Sequence, residues 1–202
     1  MKSNRLGNVF FRYRSFTPLP LAIIIIWQAQ LEWPWANAGI VLVIFGEAIR
    51  LTAVRASGKI TRTRKVGAPQ LVTWGLYSAI RNPLYLGNLL MWLGATLFAG
   101  GSYMHWLLLA VLIMFGIQYS LIVALEEATL SNLFGARYTE YCQAVPRIVP
   151  RFTGRSARQL DLARPPEEGL HPWKYAFESE SSTLLVVIGV LVIIAGQFIL
   201  AL

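Results

Sequence analysis

Long apolar stretches dominate the chain and predict its architecture. They fall at residues 16–35, 36–54, 84–103, 104–125 and 183–202. Each approaches or reaches the roughly 20 residues that a helix needs to cross a bilayer. The first and second stretches, and likewise the third and fourth, are joined by only a few residues, which predicts two antiparallel hairpins. We therefore predict an all-α polytopic membrane bundle with five transmembrane helices.

Two further segments carry different patterns. Residues 128–143 place apolar side chains at helical spacing on one face, which predicts an amphipathic helix at the membrane interface. Residues 152–182 are polar, with two prolines near their centre, and are predicted to form a cytoplasmic linker. The predicted organisation is thus a membrane core over residues 1–151, this linker, and a C-terminal transmembrane helix over residues 183–202.

Charge supports this class and predicts the orientation. Only 14% of the residues are charged, against about 25% in an ordinary soluble domain. All 18 Lys and Arg residues lie in segments 1–17, 50–81 and 137–174. The positive-inside bias then predicts a cytoplasmic N-terminus, an external C-terminus and a site facing the cytoplasm, as in a prokaryotic inner membrane protein. We interpret the net charge of +8 as this sidedness, and predict no nucleic-acid partner.

The segment 70–87 leads into the third span and holds many polar residues. Asn82-Pro83 is a helix-start pattern, in which a capping side chain precedes a proline at the first helical position. The free N–H groups of such a start suit a carboxylate or a phosphate, and Arg81 adds a cation. An interfacial belt of Trp, Tyr and Arg residues explains the same segment. The residues alone leave both interpretations open.

Two adjacent carboxylates, Glu126 and Glu127, stand at the predicted end of the fourth span. They repel each other and lie near the negative end of the helix dipole. A cation such as Arg81 or Arg137, or a ligand, should therefore offset them. A carboxylate can also accept hydrogen bonds from ribose hydroxyls, as in dinucleotide sites. The alternative is that the helix continues and both acids are solvated.

Ionisable residues also occur within the second span, where Glu47 and Arg50 lie one helical turn apart. Such residues in a membrane indicate a structural pair or a site, and we interpret these two first as a mutual pair, with a ligand contact as the alternative.

One cysteine, Cys142, and two histidines far apart in the sequence predict no metal site. Neither the P-loop nor the Rossmann glycine motif occurs.

These residues, in this order, resemble the integral membrane methyltransferases of the isoprenylcysteine carboxyl methyltransferase and phosphatidylethanolamine N-methyltransferase superfamily. The family pattern is LVT-x-G-x-Y-x-x-x-R-H-P-x-Y-x-G, followed after a span by E-E-x-x-L, F-G-x-x-Y-x-x-Y and V-P-x-x-x-P. The matching residues here are Leu71, Val72, Thr73, Gly75, Tyr77, Arg81, Asn82, Pro83, Tyr85, Gly87, Glu126, Glu127, Leu130, Phe134, Gly135, Tyr138, Tyr141, Val145, Pro146 and Pro150. The resemblance covers roughly residues 40–151.

The resemblance implies an S-adenosylmethionine-dependent methyltransferase whose cofactor site is built without a Rossmann fold. The cofactor-binding residues that it implies are Gln70, Leu71, Val72, Tyr77, Asn82, Pro83, Leu84, Tyr85, Glu126 and Glu127. It further implies catalytic roles for Arg81, Tyr85 and Glu127, with Arg81 at the transfer site. The implied acceptor is a lipophilic molecule that enters from the bilayer, so membrane lipids are the expected partners.

Three departures from the family pattern bear on the acceptor. Asn82 replaces the family histidine, so no proton role carries over to it. Residues 118–123 hold no arginine one turn before the glutamates, which disfavours a carboxylate acceptor. The chain also continues past Pro150 into an additional predicted span. We therefore favour a phospholipid amine slightly, with an isoprenylcysteine-type carboxylate, a thiol, or a non-catalytic membrane protein as alternatives; the oligomeric state stays open.

The predicted orientation can be tested with cysteines introduced singly at Ser102 and Ser156. Ser102 lies in a loop without basic residues, so an impermeant thiol reagent should reach it in intact cells. Ser156 lies in the basic polar segment, and it should react only after the membrane is permeabilised. The unmodified chain, which carries Cys142, is the control. The opposite labelling pattern would contradict the predicted orientation.

Overall fold

The computed structural model describes residues 5–58, 67, 69–149 and 170–200. Within those residues the chain forms seven α-helices and a 3₁₀ turn, Gly75–Ser78. The α-helices are α1 (Arg5–Tyr13), α2 (Leu19–Trp27), α3 (Trp33–Ser57), α4 (Pro83–Ala99), α5 (Met104–Phe134), α6 (Ala136–Ala144) and α7 (Trp173–Leu200). The described part of the chain contains no β-strand, and Gln30 and Gly100 make an isolated bridge.

The long helices are those of a membrane protein. Helices α3, α5 and α7 are long and apolar enough to cross a membrane. Helix α4 is also apolar but has only 17 residues, and α2 has 9. The predicted all-α class is confirmed for the described residues, and the predicted spans 36–54 and 84–103 correspond to α3 and α4 with shifted ends. The count of five spans and the orientation of the termini stay predictions.

The first predicted span, residues 16–35, is wrong in extent. Helix α2 ends at Trp27, and a short non-helical segment precedes α3. In that segment Gln28 Nε2 donates to Gly100 O at 2.9 Å, so a side-chain amide satisfies a carbonyl at the end of α4. The Gln30 N–H donates to Ala99 O at 2.8 Å, so the backbone leaves the helical hydrogen-bond pattern at this point.

The predicted interfacial helix over residues 128–143 is wrong as a single helix, and its interfacial position stays a prediction. Helix α5 continues without a break to Phe134, so Glu126 and Glu127 lie inside a helix and not at its end. No proline interrupts it. It ends at Gly135, whose φ of 54° is the left-handed conformation that favours glycine after a helix. The short helix α6 follows as a separate element.

The predicted linker over residues 152–182 is wrong in its last part. Helix α7 begins at Trp173, well before the predicted C-terminal span. The polar run that suggested a linker includes Ser179 and Glu180, which are 8% and 1% exposed. A polar sequence continues a membrane helix here because these side chains face the bundle and not the lipid. Residues 152–169 lie outside the described residues.

Glycines bring α3 and α4 together and thereby shape the bundle. A methyl group on Gly94 would lie 2.7 Å from Gly39 O and 2.8 Å from Val43 N. A methyl group on Gly87 would lie 2.7 Å from Gly46 O. Such distances leave no room for a side chain, so the two backbones are in contact. Small residues permit this close approach. The van der Waals packing that results stabilises the helix pair in lipid, where the hydrophobic effect does not drive helices together.

We expect Gly94→Ala to destabilise the bundle, because the added methyl group would push α3 and α4 apart. The loss should be about 1–3 kcal/mol, the usual cost of overpacking a core. Gly116→Ala is the matched control, since it lies in α5 and no described atom is within 4 Å of the added carbon. Alanine favours helix, so this change should be neutral or stabilising. Equal unfolding midpoints of the two variants in detergent would contradict the packing.

Candidate functional site

A cavity of about 550 Å³ lies where the start of α4 and the second half of α5 meet the 3₁₀ turn and α6. Every site residue predicted from the sequence lines it. These residues are Gln70, Leu71, Val72, Tyr77, Arg81, Asn82, Pro83, Leu84, Tyr85, Glu126 and Glu127. The fold thus brings two distant parts of the chain to one cavity. Their assignment to cofactor binding or catalysis stays a prediction.

Two arginines hold Glu127. Its Oε1 lies 3.3 Å from Arg81 Nη2, and Arg147 Nε donates to both of its oxygens at 2.9 and 3.0 Å. Arg81 Nη1 also donates to the Cys142 sulfur. The hydrogen bonds with Glu127 raise the pKa of Arg147. Glu127 is therefore paired with two cations, and the second of them is Arg147, where the sequence suggested Arg137.

The segment before α4 is fixed by the segment after α6. The Arg81 N–H donates to Pro146 O at 2.9 Å, and the Asn82 N–H donates to Arg147 O at 3.1 Å. The Asn82 side chain donates to the same Arg147 carbonyl at 3.1 Å. Asn82 thus occupies the N-cap position without capping the helix, and the predicted side-chain cap is wrong. The first N–H groups of α4 remain available to an anionic ligand.

Glu126 and Tyr85 connect α5 to α4 across the cavity. The Tyr85 hydroxyl donates to Glu126 Oε1 at 2.9 Å. The Tyr85 ring packs against Tyr119 of α5, with ring centroids 4.6 Å apart. A carboxylate has two oxygens and about four lone-pair positions, so Glu126 keeps acceptor capacity for a ligand hydroxyl.

Tyr77 bounds the cavity on the side of the 3₁₀ turn. Its carbonyl accepts from the Tyr141 hydroxyl at 2.7 Å, and Tyr141 itself packs in a small buried cluster with Leu71. Trp74 Nε1 donates to Ala56 O at 3.1 Å, which ties this turn to the end of α3. Burial raises the pKa of Tyr77 to about 12, so its hydroxyl stays protonated near neutral pH.

The other end of the cavity is aromatic. The rings of Trp92 and Phe115 have centroids 5.6 Å apart, and those of Phe115 and Tyr119 are 5.1 Å apart. All three residues line the cavity. Phe115 and Glu126 are separated by about 16 Å along α5 at the usual helical rise. The cavity therefore extends from the charged residues around Glu127 to this aromatic cluster.

Several polar residues that line the cavity were not predicted as site residues. They are Arg14, Asn88, Gln118, Glu180 and Thr183. Arg50 also lines it, and its Nε lies 3.7 Å from Glu47 Oε2, in agreement with the predicted pair. The Arg50 guanidinium donates to Asn88 and Glu180 as well. An amide within an apolar run was the available signal for Asn88, whereas Glu180 stood in a polar run and gave none.

A model of the phospholipid methyltransferase family matches residues 35–137, just over half of the chain. The chain belongs to this family. The match confirms the resemblance seen in the sequence, and it spans the start of α4 and both glutamates. Helix α7 lies outside the segment matched to the phospholipid methyltransferase family.

Curated relatives share 27–31% identity with this member of the phospholipid methyltransferase family. Protein-S-isoprenylcysteine O-methyltransferase B of Arabidopsis thaliana is 30% identical over 123 residues, which are 59% of this chain and 61% of that protein. Form A from the same plant is 30% identical over 132 residues, which are 63% of this chain and 66% of that protein. The Homo sapiens protein of that name is 27% identical over 143 residues, 64% and 46%. The chain thus matches about half to two thirds of their length, and no solved structure matches it significantly.

Family membership and the long apolar helices together identify the chain as an integral membrane protein. The family is named for methyl transfer, which makes the cavity a candidate methyltransferase site. The predicted location of this site on the cytoplasmic side stays a prediction.

Proposed function

We propose that this protein transfers a methyl group from S-adenosylmethionine to the carboxylate of a lipophilic acceptor in the bilayer. The observation that carries the proposal is a buried hydrogen-bond donor of Arg81 that has no acceptor among the described residues. This donor is the Arg81 Nε. A buried donor left in this way costs about 1–3 kcal/mol. Because Arg81 lines the cavity, a ligand carboxylate there would satisfy this donor.

The residues around the cavity fit the cofactor. The uncapped N–H groups of α4 suit its carboxylate, Glu126 suits its ribose hydroxyls, and the rings of Tyr77 and Tyr85 suit its adenine. The cavity volume of about 550 Å³ lies within the usual range for small-molecule sites. When bound, S-adenosylmethionine supplies an electrophilic methyl group on a sulfonium.

The proposed reaction needs little acid–base catalysis from the residues of the chain. Arg81 is fixed by Glu127 and by its backbone bond to Pro146, so its guanidinium can orient the acceptor carboxylate. The rings of Tyr85 and Tyr119 pack together and give this part of the cavity an apolar wall, which disfavours water. A carboxylate is already ionised and nucleophilic, so no proton has to be removed from it. This agrees with Asn82, which cannot titrate, at the position of the histidine in the family pattern. Positioning and a dry pocket supply the acceleration.

The carboxylate acceptor is favoured over the phospholipid amine that the sequence slightly favoured. The Arabidopsis and human relatives are named O-methyltransferases of isoprenylcysteine proteins, and these names do not support an amine. The missing arginine in residues 118–123 weighed against a carboxylate. Arg14, Arg50 and Arg81 nevertheless line the cavity from other segments, so cations are present. The aromatic end around Trp92 suits a prenyl or acyl chain.

We expect the purified protein to transfer labelled methyl from S-adenosylmethionine to a prenylated cysteine in detergent or vesicles. Mild base should release the label as methanol, because the product is a methyl ester. Arg81→Gln should remove most of the transfer, since it removes the cation that orients the carboxylate. Base-stable label in the lipid phase would instead indicate an amine acceptor. Failure of the wild-type protein to bind S-adenosylhomocysteine would indicate a non-catalytic membrane protein.

Glu126→Gln and Glu127→Gln should affect cofactor binding unequally. Glu126 lines the cavity with acceptor capacity to spare, so its substitution should cost about 1.5–3 kcal/mol of S-adenosylhomocysteine affinity, as for a hydrogen bond to a charged group. Glu127 is held by Arg81 and Arg147, so its substitution should mainly slow transfer by releasing Arg81. Calorimetry and turnover separate the two effects. Wild-type affinity in both variants would show that the carboxylates are structural.

A further inference from the structure

Helix α7 lies outside the family-matched segment, residues 35–137, yet it reaches the cavity. Glu180 and Thr183, one turn apart, are its lining residues. The helix packs mainly on α3 and also on α4 and α2. Its other faces expose large apolar side chains such as Leu185 and Val186, as expected for a surface in lipid. Helix α7 therefore stands between this part of the cavity and the bilayer.

Contacts with Arg50 hold α7 in one rotational position. Arg50 Nη2 donates to Glu180 Oε2, and the Glu180 side chain is only 2% exposed. The same nitrogen donates to Thr183 Oγ1 at 3.3 Å. Arg50 Nη1 donates to Asn88 of α4. One guanidinium thus links α3, α4 and α7, and turning α7 would separate buried charges in an apolar surrounding, which is strongly unfavourable.

These contacts lie deeper in the bundle than the predicted cofactor residues. Arg50 is about 10 Å from the end of α3, and Asn88 is about 8 Å from the start of α4, at the usual helical rise. The predicted cofactor residues of α4, by contrast, are Pro83, Leu84 and Tyr85 at its first turn. The part of the cavity beside α7 therefore belongs to the path from the charged end toward the aromatic end.

We propose that α7 forms one wall of the acceptor pocket, in which Thr183 contacts the acceptor chain and Glu180 is a positioning residue that acts through Arg50. The proposal rests on the proposed function and adds to it the site of acceptor specificity. The ligand class is the prenyl or acyl chain of a membrane-borne carboxylate. Cofactor binding is assigned to the start of α4, to Tyr77 and to Glu126, and not to α7.

Thr183→Leu and Ser182→Leu form a matched pair that tests the wall. Both replace a hydroxyl side chain of α7 by leucine, but Thr183 lines the cavity and Ser182 is exposed. Thr183→Leu should raise the acceptor KM about tenfold, the scale at which an apolar pocket discriminates a methylene. Ser182→Leu should match wild type, and S-adenosylhomocysteine affinity should be unchanged in both. Equal KM values, or a parallel loss of cofactor affinity in Thr183→Leu, would overturn the proposal.

Glu180→Gln and Glu178→Gln test the positioning role in the same way, because Glu178 is exposed on the same helix. Glu180→Gln should raise the acceptor KM while kcat and cofactor affinity are retained, the pattern of lost ground-state binding. Glu180→Asp keeps the charge, so its acceptor KM should lie between those of the wild type and Glu180→Gln. Glu178→Gln should behave as wild type. An unchanged KM in Glu180→Gln, or no advantage of Glu180→Asp over it, would overturn the role of Glu180.

Measurements on the wild-type protein separate this proposal from the proposed function. If the wild type neither binds S-adenosylhomocysteine nor transfers label, the proposed function fails, and the acceptor wall fails with it. If the wild type is active and the α7 variants behave like their controls, only the role of α7 is wrong.

Discussion

The contact between the backbones of α3 and α4 is the constraint on which the site depends. Lipid is as apolar as the helices themselves, so close packing of small residues has to hold the two helices together. A methyl group on Gly87 would lie 2.7 Å from Arg50 Cγ, so the same glycine also leaves room for that arginine. The contact places Arg50 beside Asn88. It also sets the end of α3 against the 3₁₀ turn, through the bond from Trp74 to Ala56.

Buried charge provides the second constraint, because an ionised side chain in the bundle requires partners. Glu127 meets this requirement through Arg81 and Arg147, and Arg50 meets it through Glu180 and its neighbours. Each pair joins segments far apart in the chain. The pairs therefore do two things at once: they fix the walls of the cavity, and they hold polar groups ready for a ligand. Among the described residues, Arg81 Nε is a buried donor without an acceptor, so it is the group to which a ligand could bind.

Much of the candidate site could be predicted from the sequence. The segment from Gln70 to Tyr85 and the pair Glu126 and Glu127 stand out locally, as polar residues at the ends of apolar runs, and their order resembles one family. All of them line one cavity. Asn88, Glu180 and Thr183 were missed: Asn88 is a lone amide in an apolar run, and Glu180 and Thr183 are ordinary residues of a polar run. Only the neighbouring helices make them part of a site.

The sequence by itself determined the all-α class, the positions of the main apolar helices and the family to which the chain belongs. Hydropathy and motif order carry that information locally. The tertiary structure decided where helices end and which way their polar residues face. Helix α5 passes through Glu126 and Glu127, where the sequence predicted a helix end, and α7 includes Glu180, where it predicted a linker. Glu127 and Glu180 lie inside helices because Arg81 and Arg50 supply their ionic partners, and each of these arginines lies far away in the sequence.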